Sequence, residues 1–528
     1  MAQRASTGIP EPTKSNQRLA LLLAMAMFVL VVDTSLMNVS ISAVVRDIGT
    51  TVSGVQSAIA LEALVSAAFI LIGSKVGDLI GRKLAYVLGL LGYAVGALAM
   101  AFTQSLTAII VFWAVVGGLG ASLLLPAMQS LIHGNFEGAA QKKAYALVGA
   151  SAAIAAAVGP LFGGFVTTYL SWRVGFLFEV AVIAVVLSGI RLVHDVPYTG
   201  SRRVDAVGGL LSVLAMGGIV LGILLWQEGG ESVLAVLTVG GAALVSLMYW
   251  LRRRKRQGKP TLLDPDLFRS KVFESGVSGQ MLQQIALGGT MIVLPIYLQM
   301  VLEYNALKAG LSLAPLSLTM FAVAVVAGKR AAKRRPAGLI RLGFAILTIG
   351  LVLLIPIVPR ADSGWWLVVP LVIAGCGLGL LVSQLNNYTL SPISDERVSE
   401  AAGVNSAAGS FGLAFAGAIM LATLSLSFTS LATSSTVLSP AQQQQVAHAL
   451  ETDAQIMSNT QLEEQLASHP EKVQNEIIRI NTDARHLALQ IALLIPILAG
   501  ALGLLNSFRM MRLPDPVPSE TAEGMVLG

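Results

Sequence analysis

Cysteine is almost absent from this chain, and histidine is nearly so. The single thiol, Cys376, lies inside an apolar run, which excludes an intrachain disulfide. The five histidines are scattered without ligand spacing, so no metal site is expected. Charge is scarce as well: 12% of residues are charged, against 55% hydrophobic. No glycine-rich phosphate loop ending in Lys-Ser or Lys-Thr occurs, and Gly328-Lys329 continues into Arg330. That argues against an ATP-driven pump within the chain. The formal net charge of +6 is spread between apolar runs, so nucleic acid is not an expected partner. Clustered nucleophiles are missing too, and no enzymatic activity is expected.

What is present is length and apolarity. Mean hydropathy is +0.74. Fourteen apolar runs recur, at 19–41, 56–74, 84–102, 106–132, 144–169, 174–190, 206–226, 233–251, 275–301, 307–328, 342–358, 365–386, 401–426 and 487–507. A hydrocarbon core of about 30 Å takes about 20 helical residues to cross. Every backbone amide there needs an internal partner, so runs of this kind become helices. The expected fold class is an all-α polytopic membrane protein with 14 transmembrane helices. The first run carries Asp33 and Asn38 with no small-residue cleavage site after it, and reads as a retained span.

Basic residues orient the spans. With the N-terminus in the cytosol, 28 of the 35 Lys and Arg fall in inside segments. Both termini are therefore expected in the cytosol, and the chain in the cytoplasmic membrane. The basic run Arg252–Arg256 opens the longest inside link, which goes on into the amphipathic stretch 262–273. The longest outside link, 427–486, is polar; Ser439-Pro440 reads as a helix start, and short helices are expected there, the last running into the fourteenth run. The expected parts are a tail 1–18, a first helical bundle 19–190, two extra spans with their linker 191–274, a second bundle 275–508 and a tail 509–528.

Two segments carry mechanism. Between the second and third runs stand Gly73, Gly77, Asp78, Gly81, Arg82 and Lys83. Three glycines in nine residues permit a tight turn and close helix approach, and Asp78 can cap a helix or pair with a basic residue. The fifth run has Gly149, Gly159, Pro160, Gly163 and Gly164 among many alanines. Small residues every three or four positions form a flat seam, and the proline removes a backbone donor.

The first of these segments resembles the loop motif of the major facilitator superfamily, with Leu79 where a basic residue is common. The second is similar to the antiporter motif of exporters in that superfamily. Val32-Asp33-Thr34 with Asn38-Val39 resembles the first-helix motif of its fourteen-span drug:proton antiporter branch. The resemblance implies two six-helix bundles plus two extra central spans, a loop motif that stabilises the outward-open state, and export of drugs by alternating access. It also implies an arginine in the fourth span. This chain has Ala114 there, with Gly117-Gly118 following.

Three acids lie in apolar spans: Asp33, Glu62 and Glu179. A charge at that depth costs roughly 2.5–3.5 kcal/mol on insertion scales, which marks them as candidates for proton coupling or substrate binding. Each lies roughly 8–12 Å in from the outer end of its span. Glu179 has a second possible role, pairing with Arg173 at the outer interface. The second half offers amides instead, among them Gln283, Gln299, Gln384, Asn387 and Asn405. An apolar chamber between the bundles with a few acids and amides suits a small lipophilic or amphipathic substrate. The expected energy source is the proton gradient, with no cofactor, and the expected partners are the lipid bilayer, protons and substrate, the chain acting as a monomer. A lipid exporter or flippase on the same scaffold is the nearest alternative, and a channel or membrane receptor the alternative from another class.

Overall fold

The computed structural model describes residues 14–50, 52–195, 205–227, 232–304, 306–330, 334–358, 360–394, 397–453, 462–463, 466–467 and 470–514. Most of both expected tails, Arg202, Arg203, Lys333 and the side chain of Gln299 lie outside the described residues.

Every regular element among the described residues is a helix. We number the helices α1 (Lys14–Ile48), α2 (Val52–Ile80), α3 (Arg82–Phe102), α4 (Leu106–Asn135), α5 (Gly138–Tyr169) and α6 (Trp172–Ser188) in the first half. Then come α7 (Ala206–Gln227), α8 (Val233–Arg256), α9 (Lys271–Ile296), α10 (Ala306–Arg330), α11 (Pro336–Ile357), α12 (Val368–Leu390) and α13 (Val398–Thr433). The last two are α14 (Pro440–Asp453) and α15 (Glu471–Arg512).

Eleven helices are long and apolar enough to cross a membrane among the described residues. The three further runs, 174–190, 275–301 and 401–426, fall on α6, α9 and α13; α6 is 17 residues long. Burial shows why such helices need lipid. On α3, Leu84, Leu88, Leu91, Val95, Leu98 and Phe102 line the exposed side, while Ala85, Tyr86, Gly89, Leu90 and Tyr93 are buried. A helix apolar on every side has no face for water.

Helix starts follow local chemistry. Ser105, Ser171 and Ser270 cap α4, α6 and α9 by accepting backbone N–H groups with their hydroxyls. Pro336 opens α11, and Pro440 opens α14, where the Gln442 N–H donates to Ser439 Oγ.

Helices α1–α6 pack on one another, and α9–α13 with α15 form a second group. The α7–α8 pair lies against α2 and α13. The halves meet along α5 with α10 and α12, and along α13 with α2 and α4. Beyond the spans, α13 and α15 run on, and with α14 they build a small apolar cap around Ala432, Leu438, Ile477, Ile480 and Ala484. As expected, the last helix of this link runs on into the final apolar run: α15 is unbroken for 42 residues.

Candidate functional site

The three buried acids come together. Asp33 on α1 and Glu179 on α6 are each 1% exposed, and Glu62 on α2 is 8% exposed. The indole Nε1–H of Trp113 donates to both Asp33 oxygens, at 2.9 and 3.1 Å. Tyr93 on α3 and Glu179 lie within interaction distance of Asp33, and Glu62 lies close enough to feel its charge. Neither carboxyl oxygen of Glu179 has a well-formed hydrogen bond. Buried carboxylates that feel one another's charge repel when ionised, which suits the cluster to taking up a proton.

Trp113 owes its position to an irregular helix. Residues Ile109–Gly117 of α4 are wound as a π-helix, whose wider turn shifts the register of the side chains that follow. The arginine implied for this span is absent, and Ala114 is fully buried. A neutral indole donor takes the carboxylate in its place. Trp113 and Tyr93 went unrecognised in the sequence. The available signal was an N–H-bearing aromatic in an otherwise apolar run, since a buried indole needs an acceptor.

Two details differ from expectation. Glu179 does not pair with Arg173. That guanidinium bonds Asp47 and the Thr103 carbonyl, and the Trp172 indole also donates to Asp47. The described neighbours of Asp33, moreover, namely Trp113, Tyr93 and Glu179, all come from the first half and not from across the halves.

The glycine-rich loop segment forms the end of α2. Gly73 and Gly77 lie within the helix, and Gly81, at φ +104°, breaks it. A Cβ on Gly73 would stand 2.8 Å from the Ser122 carbonyl carbon of α4. Asp78 and Arg82 are both buried and paired at 3.3 Å. The Lys83 N–H donates to Asp195 at 3.0 Å, and its ammonium to the Val193 carbonyl at 2.8 Å.

Next to this segment the halves are latched. Lys75 on α2 pairs with Glu400 on α13 at 3.5 Å, and Ser399 Oγ donates to the Ser74 carbonyl at 3.1 Å. Gln129 on α4 donates to Ser406 at 3.0 Å. The linker after α8 joins in: the Asp264 N–H donates to Glu400 at 2.9 Å, and the Asp264 carboxylate meets Lys255 and Arg397. The linker's apolar residues, Leu262, Leu263, Leu267 and Phe273, are buried. Its half-buried Asp266 is held below the usual carboxylate range, chiefly by hydrogen bonding to Lys255.

The small-residue segment on α5 serves both halves. Gly159 backs onto Ser35 and Gly163 onto Leu36 of α1, whereas Gly149 backs onto Val382 of α12. Pro160 lies near Gly310 of α10, and Gly164 is buried. Across the second half, Gln283, Gln384, Asn387 and Asn405 are buried, each with at least one amide atom lacking a partner.

A family model described as Major Facilitator Superfamily matches residues 23–417. The "Probable actinorhodin transporter" of Streptomyces coelicolor is 24% identical over 398 residues, covering 74% of this chain and 69% of the relative. "Multidrug export protein EmrB" of Escherichia coli is 26% identical, covering 72% and 75%. "Multidrug resistance protein Stp" of Mycobacterium tuberculosis is 26% identical, covering 76% and 75%. Among solved structures, the proton:xylose symporter XylE superposes with a TM-score of 0.60 at 12% identity, over 94% of this chain and 96% of that one. At that identity the likeness concerns the fold alone.

Proposed function

Since this chain belongs to the major facilitator superfamily, we propose that it exports amphipathic drugs or other lipophilic compounds across the cytoplasmic membrane, driven by the proton gradient. The observation that carries the reading is the buried acid cluster of Asp33, Glu62 and Glu179 under the Trp113 indole. Relatives named for drug and antibiotic transport support the substrate class.

The mechanism follows from the packing. Asp33 ties α1 to α4 through Trp113, and two residues on, Ser35 rests against Gly159 of α5. Helix α5 in turn bears on α10 and α12 of the second half. A proton arriving on Asp33 weakens its acceptor strength toward the indole and loosens α1 from α4. That change reaches the seam between the halves through α5. The proton acts inside one half, and substrate binds between the halves, where the second-half amides supply hydrogen bonds. The latch of Lys75, Glu400 and Asp264 holds the two halves together at one end.

In this reading fourteen helices cross the bilayer, α7 and α8 are the two extra spans, and both termini with the latched, basic end lie in the cytosol. The protein works as a monomer, needs no cofactor and catalyses no chemical reaction. The test is substrate movement in proteoliposomes under an imposed pH gradient. Wild type should accumulate substrate against its gradient, and Asp33→Asn should not. Transport indifferent to the gradient, or unchanged in the variant, would refute proton coupling.

A further inference from the structure

A crevice of about 310 Å³ opens at the basic end, between α1 and α5 of the first half and α10 of the second. Its walls are mostly apolar, with Ala20, Phe136, Ala144, Leu147 and Val325 among them. Two lysines border it, Lys143 on α5 and Lys329 on α10, both exposed. They come from opposite halves of the molecule. The crevice shares no residue with the acid cluster or with the latch.

We propose that this crevice binds one anionic phospholipid, its acyl chain against the apolar wall and its phosphate between Lys143 and Lys329, so that the lipid bridges the two halves. The chemistry selects the ligand. Two ammonium groups with no acidic residue among the lining residues attract an anion, and an apolar slot directly beneath them requires a hydrocarbon tail. A position at the basic end places the slot in the cytosolic leaflet, an orientation that rests on the reading above. Basic pockets between membrane helices on that side are suited to anionic headgroups. The same site has a conformational consequence. Gly328, in the crevice wall, lies directly against Ala146, so α5 and α10 touch at the slot's floor. A lipid held by both lysines favours this closed arrangement, because parting the halves separates its two ligating charges.

Binding of phosphatidylglycerol to the purified full-length protein, followed by native mass spectrometry in competition with phosphatidylcholine, tests the proposal without any transport step. Failure of the export reading would therefore leave this result interpretable. Wild type should retain one phosphatidylglycerol. Lys143→Gln/Lys329→Gln should weaken retention about 30-fold, from about 1 kcal/mol per lysine. Ala140→Phe, which fills the slot and keeps both charges, should also lose it. Arg252→Gln/Arg253→Gln, which removes the same charge elsewhere at the basic end, should bind as wild type. Equal loss in that control, or undiminished retention in the lysine variant, would overturn the site. So would displacement of the lipid by glycerol phosphate at similar concentration, because a bare phosphate site needs no slot.

Discussion

Replacing Glu400 with Gln should open the latched end. In the structure Lys75 and Glu400 are about equally buried, with side chains 5% and 7% exposed and charged atoms 3.5 Å apart. At an effective dielectric of about 20, that pair attracts by about 5 kcal/mol before desolvation. Removing the acid relieves its own desolvation but takes the acid partner from a buried ammonium, a loss that usually costs about 3–5 kcal/mol. Asp78 stands close enough to Lys75 for each to feel the other's charge, and the Gln side chain still accepts from Asp264 N–H. A net loss of about 2 kcal/mol is the result, equivalent to about a 30-fold shift toward the state opened at this end. The assay is a spin-label distance between cysteines at Arg191 and Arg341, exposed positions in opposite halves, after the single native thiol is removed as Cys376→Ala. Glu400→Gln should move the distribution to longer distances. Adding Lys75→Met should restore much of the original one, since the buried ammonium that lost its acid partner is then gone as well. Two unchanged distributions would refute the latch, and a double variant more open than the single would refute the buried-charge argument.

Other outcomes follow from the same packing. Trp113→Phe keeps an aromatic ring but removes the donor to Asp33; a melting-temperature drop equivalent to about 1–2 kcal/mol is expected in detergent, with gradient-driven uptake lost. An unchanged melting profile would mean that the indole bond contributes nothing. Gly73→Ala should destabilise by about 1–3 kcal/mol, because the added methyl meets the Ser122 backbone, which has no easy way to retreat. Gly338→Ala meets nothing within 4 Å and should be neutral or slightly stabilising, by up to about 1 kcal/mol; thermal shift measurements on both variants check the contrast. The Lys255–Asp266 ion pair of the linker should be insensitive to pH across the neutral range. Asp266 titrates below its unfolded value, so its contribution is present above that value and disappears only as pH falls through the depressed one. Tryptic cleavage after the exposed Arg269 should therefore be as slow at pH 6 as at pH 8, allowing for the enzyme's own profile, and a marked rise at pH 6 would contradict the assignment.

Much of the architecture was written in local chemistry. An apolar run of sufficient length has one stable backbone in hydrocarbon, so the helices could be placed from composition alone. Scarce charge made Asp33, Glu62 and Glu179 conspicuous for the same reason: each is costly where it stands. Gly81 and the Ser439-Pro440 helix start act over a few residues, and their effects appear where expected. The partners did not follow from the sequence. Which indole reaches Asp33 depends on a π-helical turn in α4, and nothing in Ile109–Gly117 announces that winding. Glu179 joined the cluster because Asp47, more than a hundred residues away, took Arg173. Glu400 and Asp264 became a latch because α13 lies on α2 and the linker folds beneath both. Transfer of each segment into lipid depends on its own residues, and that the sequence determines. Contacts between segments depend on the geometry of the whole, and only the tertiary structure decides those.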